Sequence, residues 1–199
     1  MTTTATILPG FFDVVGHSQQ SYRAVLDAMA RPGSIRTLVR PEAAPEGWQP
    51  AMAALALTLL DQDTPVWRDM AAGTEEAGAY LRFHCGCPIA DAPEKAAFAI
   101  VADAAGMPPL HRFSIGDPLY PELSATVLLS IESLRGGAPL QIKGPGIREA
   151  ATIAPKGLPD GFIRQWADNH SLYPSGLDLI LVSGDEVMAW PRGVSVEEA

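Results

Sequence analysis

The side chains best suited to chemistry begin with His84-Cys85-Gly86-Cys87, an imidazole and two thiols close together. On an extended segment the two-residue period puts both sulfurs on one face and His84 on the other. A zinc site wants four ligands, with cysteines two to four residues apart and a second pair elsewhere. Here His17, His111 and His170 are scattered singly, and Cys-x-Cys is not the Cys-x-x-Cys of a redox helix. The segment therefore reads as two reduced, partly buried thiols beside a packed histidine, and no metal is expected.

Lys143-Gly144-Pro145-Gly146-Ile147 comes nearest to a phosphate loop. Its backbone amides could cradle an anion, although Pro145 removes one donor; the alternative is a plain structural turn. No G-x-x-x-x-G-K-[ST], no G-x-G-x-x-G between strand and helix, and no G-x-S-x-G elbow occurs. Asp61, Asp63 and Glu122 are candidate general acids or bases, yet Asp-Gln-Asp before a proline is also an ordinary turn. Arginine is the more informative charge. Arg31 stands in Ala-Arg-Pro-Gly and Arg82 precedes Phe83-His84, and each offers a rigid fork for a phosphate, a carboxylate or a partner's acidic group. The plainer alternatives are a helix-end cation for Arg31 and a surface ion pair for Arg82. No catalytic residue can be named from these patterns.

These residues need elements to hold them. A helix is expected over Ser18–Ala30, with Ser18 as N-cap and Tyr22, Val25, Leu26 and Met29 as one apolar stripe. Pro32-Gly33 ends it, which puts Arg31 at the helix C-terminus. Ser34–Arg40 alternates like a half-exposed strand, Ala51–Leu60 reads as a buried helix, and Thr64–Trp67 as a short strand. A brief helix around Glu75–Leu81 should lead into an extended segment carrying Phe83 and His84. Ala97–Ala102 has the continuous apolar character of a strand buried on both faces. Ser124–Ser133 and Pro139–Lys143 flank Gly136-Gly137, a dipeptide suited to a tight hairpin. Pro159–Asn169 is an amphipathic helix with Phe162, Ile163 and Trp166 on one side. Leu177–Val182 and Glu186–Trp190 close the chain as a hairpin around Gly184-Asp185 and should leave an edge strand that wants cover. The mixture implies an α/β domain, a mixed sheet with helices packed on it.

The totals set the frame. The 199 residues suit a single domain, 1–199, with 47% hydrophobic and 19% charged residues. A net charge of −9 disfavours nucleic acid and anionic membrane surfaces as partners. The first seventeen residues contain no Lys or Arg, so no signal peptide is expected. The longest apolar run, Ala51–Leu60, is too short to cross a bilayer. A cytoplasmic location follows as the expectation.

Several stretches spread along the chain resemble the PhnH family. They are Phe12-Asp13-Val14, Tyr22-Arg23 and Ala28-Met29-Ala30-Arg31-Pro32-Gly33, then Asp63-Thr64-Pro65-Val66-Trp67 and Leu81-Arg82-Phe83-His84. Gly116, Pro121-Glu122 and Ala125-Thr126-Val127-Leu128-Leu129 follow. Leu140, Lys143-Gly144-Pro145-Gly146-Ile147, Tyr173-Pro174 and Gly176-Leu177-Asp178-Leu179-Ile180-Leu181 complete an ordered, nearly end-to-end series. The resemblance implies a subunit of the carbon–phosphorus lyase core complex, working with PhnG, PhnI and PhnJ. With PhnG, PhnI and PhnL it implies a part in transferring the ribose triphosphate of ATP to an alkylphosphonate, with release of adenine. It also implies a homodimer and a fold like the large domain of pyridoxal-phosphate transferases, without that cofactor. The chemistry of that transfer is attributed mainly to PhnI, so no catalytic residue carries over, and Cys85 and Cys87 inherit no role. Arg31, Arg82, His84, Lys143, Gly144 and Gly146 remain as candidates for ligand or partner binding. Two other readings stand beside this one: a purely structural scaffold, and a free-standing pyridoxal-phosphate transferase. The latter needs a Schiff-base lysine, and only Lys95, Lys143 and Lys156 are present.

Overall fold

A computed structural model describes residues 7–199. Its centre is a six-stranded sheet in the order β1 (Ile35–Thr37), β8 (Glu186–Trp190), β7 (Asp178–Ser183), β4 (Thr126–Ser130), β3 (Phe98–Val101) and β2 (Val66–Arg68). β2, β3, β4 and β7 run parallel, and β8 runs antiparallel to both of its neighbours. β5 (Leu140–Lys143), β6 (Ala151–Ile153) and β9 (Ser195–Glu198) form a separate antiparallel sheet in the order β6-β5-β9. The sheet is therefore mixed, as the sequence implies.

The strands of the large sheet divide their side chains between two cores, because successive residues point to opposite faces. Ile100, Leu128, Ile180, Val182, Val187 and Ala189 face one core, with α1 (Val14–Ala30), α2 (Pro50–Leu59) and α3 (Glu75–His84). Ala99, Val101, Val127, Leu129, Leu179, Leu181 and Trp190 face the other, with the small sheet and α4 (Phe162–Ser171). The Trp166 indole lies wholly inside that second core and donates from Nε1 to Val194 O at 2.9 Å.

Five expectations need correction. The N-cap of α1 is Asp13, whose carboxylate accepts from Gly16 N at 3.0 Å, so the helix starts ahead of Ser18. Its buried face is Ser21, Val25 and Ala28, whereas Tyr22 is 48% and Leu26 50% exposed. The small side chains at Ser21 and Ala28 permit close approach, and Tyr22 and Leu26 are left outside. α3 continues through Phe83 and His84 instead of giving way to an extended segment, and its Thr74 cap accepts from Ala77 N. Gly136-Gly137 does not close a hairpin, since β4 and β5 belong to different sheets. Finally, the β7–β8 hairpin exposes no edge: β1 covers β8, and the sheet ends at β1 and β2. The helix expected over Pro159–Asn169 is present as α4, displaced toward the C-terminus.

Candidate functional site

Arg31 caps the C-terminus of α1, its N–H bonded to Asp27 O at 3.0 Å. Asp27, one turn back, ion-pairs with both Arg31 and Arg36. The hydrogen bond from Arg36, aided by both guanidinium charges, holds its carboxyl below the usual carboxylate range. Arg31 thus combines the helix-end cation with an ion pair, and its side chain stays 63% exposed.

The Gly-Pro-Gly turn after β5 lies directly against this helix end. Gly146, at φ +84°, faces Ala30 O and Pro32, leaving no room for a side chain. Gly144, at φ +148°, also passes close to Gly193 and Val194 beyond β8. Within the turn Ile147 N donates to Gly144 O at 3.1 Å, so that amide is not free for an anion. Arg31 and Gly146 line one cleft of about 530 Å³ together with Ser34, Arg148 and Glu149. Lys143 ends β5 as an exposed residue and, like Gly144, lines neither this cleft nor the next.

On the other side of Gly146 lies a second cleft of about 540 Å³. Met29 and Ala30, Pro121 and Glu122, Pro145 and Gly146, and Tyr173 and Pro174 line it, with Pro191–Val194 behind them. The Tyr173-Pro174 peptide is cis. Four separate stretches that carry the family resemblance thus meet at one place. Arg192 braces the cleft: its backbone N and Nε donate to Asp178 Oδ1 at 2.8 and 3.2 Å, and Nη1 donates to Pro121 O at 2.6 Å. This pair is mostly buried and satisfied, so its charge is spent on structure. Glu122 is an exposed carboxylate on the rim, and Tyr173 offers a largely exposed ring. The lining can hold a ligand between apolar walls and move a proton at Glu122. It contains no lysine, serine, cysteine or histidine to act as nucleophile. Sequence reasoning missed Arg192; the signal was the hairpin register, which pairs Leu179 with Trp190 and so brings Asp178 to the start of the following turn.

Arg82 and His84 line neither cleft. His84 is packed against Tyr80, with ring centroids 4.5 Å apart, and its Nε2 lies 2.9 Å from Leu8 O, fastening the N-terminal segment to α3. Cys85 ends α3, Gly86 turns in the left-handed region, and Cys87 enters the core. Both thiols are free. A hydrogen bond with Cys87, then burial, pushes the Cys85 thiol up; the same bond draws Cys87 down. No group of three or more His, Cys, Asp or Glu side chains that could hold a metal is found among the described residues. No described helix is long and apolar enough to cross a membrane.

Comparison with known proteins places the chain in a family. The family model "Bacterial phosphonate metabolism protein (PhnH)" matches residues 9–197. The alpha-D-ribose 1-methylphosphonate 5-triphosphate synthase subunit PhnH of Rhizobium meliloti (strain 1021) is 39% identical over 198 residues, 99% of each chain. A putative C-P lyase subunit protein, HtxG of Stutzerimonas stutzeri, is 36% identical over 78 residues, 39% of this chain and 40% of its own. The chain belongs to the PhnH family of bacterial phosphonate metabolism proteins.

Proposed function

We propose that the chain is a subunit of a ribose 1-methylphosphonate 5-triphosphate synthase, serving phosphonate catabolism in the cytoplasm. The observation that carries this reading is the 39% identity spread over 99% of both chains with a subunit of that name. The assembled enzyme transfers the ribose triphosphate of ATP to an alkylphosphonate and releases adenine, and this chain works in it beside PhnG, PhnI and PhnL, with PhnJ in the wider complex. The clefts around Gly146 support a contributing role over independent catalysis, because neither lining supplies a nucleophile with a paired base. A pyridoxal-phosphate reading gains no support: Lys95 and Lys156 are ion-paired to Asp91 and Glu132, and Lys143 stands outside both clefts. Kinship with the large domain of such transferases is supported by the mostly parallel sheet alone.

The exposed apolar side chains of the first helix, and of Phe12 just ahead of it, support assembly. Phe12, Val14, Val15, Tyr22 and Leu26 are all at least 48% exposed, which suits a homodimer or a partner-subunit interface. Arg31 and Arg82 separate the roles open to the chain. If Arg31→Ala or Arg82→Ala weakens co-purification with the partner subunits, that residue anchors an interface. If the complex stays whole and adenine release falls by about tenfold, it serves the substrate site, as expected for one charge-assisted hydrogen bond. The reading itself is tested by complementation. A strain lacking its own PhnH should regain growth on methylphosphonate with this chain; failure at normal protein levels, with cognate partners supplied, contradicts it.

A further inference from the structure

Arg68 closes β2 at the carboxyl end of the parallel strands, the end at which open α/β sheets take ligands. Among the described arginines it alone is partly buried and lacks a carboxylate partner. Its Nε is buried without a hydrogen-bond partner, and Nη1 reaches only Thr74 O at 3.3 Å. Arg82 brings a second guanidinium to the same place. It stands four residues after Gly78 and so shares one face of α3 with it. A side-chain carbon on Gly78 would lie 3.3 Å from Arg82 Nη1 and 3.5 and 3.6 Å from Arg68 Nη1 and Nη2. Two unpaired cations therefore come together over the same glycine. Burial, and after it the charge of Arg82, pulls Arg68 below its ordinary pKa. The chain has 23 acidic side chains against 14 basic ones, yet none is ion-paired to either guanidinium.

We propose that Arg68 and Arg82 form a binding site for a phosphorus oxyanion, the phosphate or phosphonate group of a small molecule. One guanidinium fork satisfies a planar carboxylate. Two forks that converge on one place suit a tetrahedral dianion, which has oxygens to offer both and a charge equal and opposite to theirs. The site deepens the synthase reading by giving one phosphorus group of its substrates a place on this chain. The two fail separately, because binding is measured on the isolated chain and synthesis on the assembled system.

The test is calorimetric titration of the full chain with inorganic phosphate, methylphosphonate and ATP at low salt. At least one should bind, Arg82→Gln should weaken it by about tenfold or more, and added salt should weaken it further. Arg68→Gln should do the same, while Arg164→Gln, at an exposed arginine on α4, should change nothing. Arg82 is exposed, so its variant keeps the fold even where that of Arg68 does not. No binding of any of the three anions overturns the proposal, as does equal binding by Arg82→Gln and the parent chain. Weaker partner co-purification with unchanged anion binding also overturns it, and assigns the pair to an acidic protein segment.

Discussion

Asp27 shows how a single side chain sets the local charge at the helix end. It answers both Arg31 and Arg36, and its folded-state pKa lies below the ordinary value of 3.8. A depressed carboxylate contributes stability that is present above its unfolded pKa and lost as the pH falls through the folded one. Asp27→Asn should therefore lower the melting temperature slightly at pH 7, and the gap from the parent should close as the pH drops below about 4. Melting curves across that range check it; a gap that is constant with pH would place the effect in packing. The Asp178–Arg192 pair is a different case. It is mostly buried, and the hydrogen bonds of Arg192 to Asp178 and to Pro121 O tie the β7 start to Pro121, so it positions the cleft without offering a free charge to it.

At the scale of elements, the close approach of the Gly-Pro-Gly turn to α1 organises both clefts. Gly146→Ala would force a side chain into the left-handed region and against Ala30 O and Pro32, whereas Gly136→Ala, at φ +77°, meets nothing within 4 Å. Strain alone costs about 1–3 kcal/mol, and about 2–4 °C of melting temperature goes with each kcal/mol at this chain length. Gly146→Ala should thus fall clearly further than Gly136→Ala; equal losses in a thermal scan would mean that the turn does not dock on the helix. Much of this architecture was legible locally. The buried Ala/Leu helix, the β7–β8 hairpin and the stop at Pro32-Gly33 are each encoded within a few residues by apolar periodicity or turn chemistry. In α1 the stripe is legible only in part: Val25 is buried and Met29 packs on the core, whereas Tyr22 and Leu26, also expected to face the core, face out. The partners of β5 were illegible for another reason. A Gly-Gly turn marks where the chain reverses, but the choice of sheet depends on β9, which comes from the far end of the sequence. The clefts were visible only as scattered family motifs, since their convergence is a tertiary fact.

For the whole molecule, the balance is an acidic surface with apolar side chains left exposed on its first helix. Leu26→Asp should leave stability within about 0.5 kcal/mol, as exposed positions do, while weakening association with partner subunits or a second copy. Light scattering and co-purification read it; unchanged association in both would remove that face from the interface. The central claim is participation in the synthase, and adenine release tests it most directly. ATP and methylphosphonate are supplied to the purified partner subunits with this chain, without it, and to this chain alone. Release should occur only in the complete mixture and disappear when this chain is omitted. Undiminished release without it, or release by the isolated chain, would contradict the account.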